Sequence, residues 1–283
     1  MMIVNRCYIL VVVLLVLLTS EVFGQNEKVS IWPKLAPGSE RIDNNEKWVG
    51  QKKVTAVYQP DITVFPLNLS EKKLPALLIF PGGGYKQIVI EKEGYKIAQW
   101  ANRNGMAGFV LKYRLDRQAA LRDAQRAMSF LRANAKEYNI DENRIGVIGF
   151  SAGAHLAANL TMNPNNRKKL DAVDEASSTP DFLVGIYSGY PEVFGALGSF
   201  KVHQNFAPTF LVHTGKDNKA NVLGSIELYT ALNKMDIPAE LHIYEKGGHG
   251  FALESDRGAA VTSTVNAWSR RCIEWLKVRG VLY

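Results

Sequence analysis

Residues 144–160 read RIGVIGFSAGAHLAANL. Ile145 to Phe150 is a short apolar, β-branched run with the length and composition of a buried strand. Ala154 to Leu160 is rich in Ala and Leu, which favours helix. Between them, Gly149-Phe150-Ser151-Ala152-Gly153 leaves the chain almost no room to change from one to the other. Glycine has no Cβ, so strand and helix can approach closely and the turn can be sharp. Such a turn lifts the serine Oγ above the sheet edge, at the positive end of the following helix. A simple N-cap serine is the plainer reading of the same residue. The rest of the chain decides between them.

Outward from this corner, the chain alternates strand and helix. ALLIF (76–80), AGFVLKY (107–113), FLVGIYS (182–188), TFLVHT (209–214) and ELHIYE (240–245) read as further strands. GYKIAQWANRN (94–104), residues 119–139, LGSIELYTALNKM (223–235) and residues 260–280 read as helices, with Leu121, Ala124, Met128 and Leu131 forming one stripe. Strands apolar on both faces and separated by helices predict an α/β fold, a mostly parallel sheet covered by helices on both sides. VTAVYQPDITVF (54–65) reads as a hairpin covering a sheet edge, preceded by a polar, extended lead-in over 25–50. Residues 163–180 and 189–208 are long insertions after the serine corner. They are candidate walls or lids of a site there.

The N-terminus stands apart. Met1 to Cys7 carries one arginine, Tyr8 to Leu18 is uninterrupted apolar sequence, and Val22 and Gly24 have the spacing of a signal-peptidase site. This predicts a signal peptide over 1–24, a single domain over 25–283, and a secreted or periplasmic protein. The apolar run is short for a membrane about 30 Å thick, so stable insertion is not expected. Cleavage would leave one cysteine, Cys272, and therefore no intramolecular disulfide. The net charge of +7 is spread along the chain, with Arg167-Lys168-Lys169 its one tight run. No basic stripe with interleaved aromatics points to nucleic acid.

A nucleophilic serine needs a base, and the chain has five histidines. His155 lies one helical turn past Ser151 and reads as a packing residue. His213 and His242 fall inside strands, and His203 in an insertion. His249 stands in EKGGHGF (245–251), just past the last strand, on a glycine-rich loop free to bring an imidazole over the strand ends. The order Ser…Asp…His then requires a carboxylate after an intervening strand. FLVHTGKDN (210–218) supplies Asp217; Glu227, Asp236, Glu240 and Glu245 are placed less well. Asp217 also fits a turn aspartate before Asn218, and one residue can do both. FPGGGY (80–85) follows the first core strand, and its glycines allow backbone N–H groups to point into a site. Gly83, Gly84 and Ala152 are the expected oxyanion donors. Tyr85 and Tyr190 are candidate sugar-stacking residues. The loop lacks the spacing of a phosphate-binding P-loop.

PGGGY (81–85), EKEGYKIAQWANRNGMAGFVLKYRL (91–115), DENRIGVIGFSAGAHLAANL (141–160), PTFLVHTGKDN (208–218) and PAELHIYEKGGHGF (238–251) together resemble the α/β-hydrolase superfamily. More narrowly, they are similar to secreted bacterial carbohydrate esterases of the acetylxylan and feruloyl esterase-like group, over about residues 74–277. The resemblance implies ester hydrolysis through an acyl-enzyme, Ser151, Asp217 and His249 as the triad, no metal or organic cofactor, and an acylated polysaccharide as substrate. It departs at Gly153-Ala154-His155, where relatives carry a second glycine before the histidine. GKDNKANV (215–222) stands where relatives show an Asp-Asp pair followed by Val-Pro. The insertion at 189–208 matches no pattern of the group, so acyl and alcohol preference are not set by it.

Overall fold

The computed structural model describes residues 27–39, 46–67, 72–165, 167–189, 201–253 and 264–283. The signal-peptide segment, residues 190–200 with Tyr190, and residues 254–263 fall outside them. The apolar runs form strands β5 (Leu74–Phe80), β6 (Ala107–Lys112), β7 (Ile140–Phe150), β8 (Leu183–Ile186) and β9 (Thr209–Thr214), buried along most of their length. β10 (Ala239–Tyr244) closes one edge and is half-exposed. At the other edge lie β1 (Lys28–Ser30) and β4 (Asp61–Phe65). The sheet order is β1-β4-β6-β5-β7-β8-β9-β10, antiparallel at β1/β4 and β4/β6 and parallel elsewhere. Helices α1 (Lys96–Arg103), α2 (Arg117–Ala133), α3 (Ala152–Met162), α4 (Leu223–Asn233) and α5 (Trp268–Val278) supply the covering layers. No helix among the described residues is long and apolar enough to cross a membrane.

One topological fact positions the site. β5 has β6 on one side and β7 on the other, so the chain reverses its direction of travel across the sheet there. The loops leaving β5 and β7 therefore part and open a crevice at the carboxyl ends of the strands. In register, Phe80 of β5 lies beside Gly149 of β7, which sets Pro81-Gly82-Gly83 against Phe150-Ser151.

Three expectations need correction. Residues 54–65 do not form a hairpin. β3 (Lys53–Val54) pairs with β2 (Trp48–Val49) in a small separate sheet, while β4 enters the main one. Ile62 and Val64 are buried and so are Thr63 and Phe65, a two-sided burial that only a strand inside the sheet can supply. The described part of the lead-in is not wholly polar and extended either. Ile31 and Trp32 are buried, Trp32 Nε1 donates to Asp123 (3.0 Å), and Arg126 donates to the Ile31 carbonyl (2.7 Å).

Finally, residues 163–180 are not a wall of the site. Arg126 forks onto Asp171 (2.6 and 2.8 Å) and reaches Asp174 (3.0 Å), which Arg167 also binds (2.8 Å). These charges fasten the segment to the outer face of α2. Covered by sheet on one side and by this segment and the lead-in on the other, α2 buries Asp123, Gln125, Arg126 and Ser129 as well as its apolar stripe.

Candidate active site

The corner is built by backbone packed on backbone. A Cβ on Gly149 would lie 2.2 Å from the Gly153 carbonyl oxygen, and one on Gly153 would lie 2.0 Å from that of Phe80. No side chain fits at either position, which is why both residues are glycine. Ser151 adopts φ 53°, ψ −117°, a strained conformation for a residue with a Cβ, costing about 1–3 kcal/mol. Its N–H is anchored to the Ile186 carbonyl of β8 (3.0 Å). Its side chain makes no capping hydrogen bond to α3, so the hydroxyl is not spent as an N-cap.

That hydroxyl lies 2.8 Å from His249 Nε2, and His249 Nδ1 lies 2.7 Å from Asp217 Oδ2. A carboxylate oxygen can only accept, so Nδ1 carries the ring proton and Nε2 accepts from the Ser151 O–H. Asp217 is well served: its other oxygen accepts from the Lys219 N–H (2.8 Å) and the Ala220 N–H (3.0 Å). His213 Nε2 stands 3.4 Å from Asp217 Oδ2 and 3.1 Å from the Ala220 carbonyl, so it carries a proton and faces both oxygens. Its Nδ1 then accepts from Ser225 Oγ (2.9 Å). Burial alone would raise the Asp217 pKa. The donors on His213 and His249, with the two backbone N–H groups, overcome that and hold the carboxyl far below the usual carboxylate range.

The other histidines are engaged elsewhere. His155 Nδ1 accepts from Tyr85 Oη (2.6 Å), and burial, reinforced by the Arg117 charge, pushes its pKa down to about 3. It is a neutral packing residue. His203 meets the Thr161 carbonyl (3.1 Å) and His242 meets Glu240 (2.6 Å).

The glycine loop after β5 completes the centre. Gly83 and Gly84 have φ 138° and 66°, which L side chains resist. Their N–H groups and that of Ala152 have no acceptor among the described residues, and all three residues line a cleft of about 560 Å³ with Ser151 and His249. Lys53, Arg117 and Lys219 stand on its rim. Tyr85 also lines it, at φ 56°, with its hydroxyl on His155 and the Arg117 guanidinium 5.7 Å from its ring centre. Tyr190 lies outside the described residues, whereas Gly189 beside it reaches the cleft.

Two residues at the site escaped the sequence reading. Glu93 is buried and accepts from the Gly82 N–H (2.8 Å) and from Tyr187 Oη (2.8 Å). The Tyr187 ring packs on the His249 imidazole, centres 4.8 Å apart. Tyr187 directly follows β8, so asking which side chain follows each parallel strand would have found it. Glu93 has no such local signal, since its partners are 11 and 94 residues away.

A mostly parallel sheet, a strained serine between strand and helix, and a Ser–His–Asp relay over the strand ends define the α/β-hydrolase class. Comparison with known proteins narrows this. The BD-FAE family model matches residues 62–185 and the prolyl oligopeptidase family model matches residues 187–275. An acetyl ester-xyloside bifunctional hydrolase from Caldicellulosiruptor lactoaceticus, of solved structure, is 30% identical, with 93% of this chain and 100% of that one covered, at a TM-score of 0.77. An acetylxylan esterase of Xylanibacter ruminicola is 29% identical over 221 residues, covering 67% of this chain. The endo-1,4-beta-xylanase B of Butyrivibrio fibrisolvens is 28% identical over 219 residues. The matches span only 46% and 34% of those two longer proteins. The chain belongs to the α/β-hydrolase carbohydrate esterases.

Proposed function

We propose that the protein is a serine esterase that removes small acyl groups, acetyl above all, from plant polysaccharide such as xylan. The observation that carries this is the relay from Ser151 through His249 to Asp217, at 2.8 and 2.7 Å, beside three unspent N–H groups. As Ser151 Oγ attacks the ester carbonyl, its proton passes to His249 Nε2, and the imidazolium is stabilised by the Asp217 carboxylate. The carbonyl oxygen becomes an oxyanion that the Gly83, Gly84 and Ala152 N–H groups receive, an interaction worth about 3–4 kcal/mol per donor in well-studied cases. The tetrahedral intermediate collapses, the C–O bond to the sugar breaks, and His249 returns the proton to the leaving hydroxyl. Water, deprotonated by His249, then attacks the acyl-enzyme and releases the acid and free Ser151.

The substrate class is carried by the relatives, an acetylxylan esterase, an endo-1,4-beta-xylanase and an acetyl ester-xyloside bifunctional hydrolase. Release of acetate from acetylated xylan should exceed release of ferulate from feruloylated xylan, with p-nitrophenyl acetate as a neutral reference. Dominant ferulate release would overturn the acetyl assignment. Ser151→Ala should lower kcat by about 10⁴-fold or more, from the behaviour of other Ser–His–Asp enzymes. Export is a separate proposal resting on residues 1–24. A mature N-terminus at Gln25 in the exported protein would support it, and retention of Met1 would sink it.

A further inference from the structure

The oxyanion loop and the histidine loop belong to segments far apart in the chain, and one chain of contacts joins them across the site. The Tyr187 ring packs on His249 and Phe251 (ring centres 4.8 and 4.5 Å away), Tyr187 Oη–H donates to Glu93 Oε1 (2.8 Å), and Glu93 Oε2 accepts from the Gly82 N–H (2.8 Å). Phe251 is two residues past His249, and Gly82 immediately precedes Gly83. Glu93 and Tyr187 are both buried, and Glu93 lines the cleft. Ala252 and Tyr187 both hold positive φ (43° and 39°), so the backbone is strained on both sides of this junction.

We propose that Glu93 is a positioning residue, one that with Tyr187 locks the oxyanion loop to the histidine loop and places a carboxylate behind the ring that packs on the imidazole. The assignment rests on the esterase reading above. Each Glu93 oxygen accepts from a different donor, the pattern that a carboxylate requires and a carboxylic acid would break. Burial raises its proton affinity, while Tyr187, the Gly82 N–H, Lys92 and His249 oppose that. Glu93 fixes the Pro81–Gly82 peptide, and the Val89 N–H on the Gly82 carbonyl (2.9 Å) fixes the next one, which carries the Gly83 N–H toward the oxyanion. Fixing Tyr187 fixes the ring against which the imidazole lies. The carboxylate also favours the imidazolium that forms during attack. The other charged and titratable groups around His249 are Asp217 at Nδ1, His213 behind Asp217, Lys219 on the rim and Lys92, whose Nζ donates to the Gly250 carbonyl.

Glu93→Gln keeps the shape but opposes an amide N–H₂ to either Gly82 or Tyr187, and it removes the charge. With p-nitrophenyl acetate, kcat should fall about 10- to 100-fold with KM within about threefold, because oxyanion donors act mainly in the transition state. The acidic limb of the kcat/KM profile should move to lower pH by about half a unit, since a lost negative neighbour makes the imidazolium less stable. Tyr187→Phe cuts the bridge and keeps the charge, so kcat should fall while the limb does not move down. Glu93→Asp keeps the charge but shortens the reach. It should behave as Tyr187→Phe does. A Glu93→Gln enzyme with kcat within about twofold of wild type and an unmoved limb overturns the proposal. If Glu93→Gln does not fold, Tyr187→Phe decides: lost kcat at unchanged KM supports the bridge, and unchanged kcat refutes it. The esterase reading fails separately, and only if Ser151→Ala retains full activity.

Discussion

From β4 to β8 the catalytic centre is made by main chain pressed on main chain; beyond β8 it is made by side chains reaching across loops. In the first region Gly149, Gly153 and Gly83 each leave room for a backbone oxygen where a Cβ would fall, at 2.2, 2.0 and 2.0 Å. In the second, Asp217 and His249 are held by His213, Tyr187, Lys92 and the backbone N–H groups of a turn. Main-chain contact tolerates no substitution but needs no partner chosen by the sequence elsewhere. Side-chain tethering tolerates more change, and each tether can be cut singly.

The same substitution in both regions gives the sharpest contrast. Gly153→Ala puts a methyl 2.0 Å from the Phe80 oxygen and should cost more than about 3 kcal/mol, seen as a lower denaturant midpoint or loss of soluble protein. A midpoint within error of wild type would break the comparison. Arg126→Ala tests whether side-chain tethers remote from the cleft matter to stability alone. It leaves the fully buried Asp174 carboxylate with Arg167 as its remaining cation and should cost about 3 kcal/mol. Turnover by the folded fraction should be unchanged, because no described residue of 163–180 lines the cleft.

His213→Ala should do the opposite. With one donor to Asp217 gone, kcat should fall about 10- to 100-fold through misplacement of the carboxylate, with a smaller loss in melting temperature. Unaltered kcat would show that His213 only fills space.

The fourth effect is a pH dependence. His155 titrates at about 3 when folded and at 6.5 when unfolded, so between those values the unfolded state binds the extra proton. Stability is therefore full above pH 6.5 and declines as pH falls toward 3. His155→Asn, which keeps an acceptor for Tyr85, should flatten the melting temperature between pH 6.5 and 4. An equally steep decline would assign it to other groups. The smallest effect is expected at Gly248, where a Cβ meets nothing within 4 Å: Gly248→Ala should change stability by less than about 1 kcal/mol.

The contrast also explains what could be read from the sequence. The corner was legible because backbone packing forces glycine at fixed offsets from Ser151, and the parallel core because its strands are apolar on both faces. Asp217 and His249 were legible once each was seen to follow a strand, since parallel strands deliver such residues to one edge. Partners recruited from afar were not. Glu93 is one glutamate among charged neighbours in EKEGYK, 94 residues from Tyr187. His213 is only four residues before Asp217 and is hidden differently, because it reads as a strand histidine until Asp217 is placed beside it. Residues 163–180 looked like a site wall by length alone; the charges that pin them to α2 come from 45 and 48 positions upstream or from within the segment. The 54–65 hairpin failed for the same reason, because local turn chemistry does not reveal that β6 competes for β4.

The tethers of the histidine loop carry a consequence for the order of events in folding. Lys92 to Gly250 spans 158 residues, Glu93 to Tyr187 spans 94, and Ala252 is also held by Trp268 from the last helix. Contacts that close such long loops form late. The relay between Ser151 and His249 is thus assembled only when segments from Lys92 to Trp268 are in place, and recovered ester hydrolysis should lag behind recovered secondary structure on refolding. Turnover in this protein is a stricter measure of a finished fold than its circular dichroism.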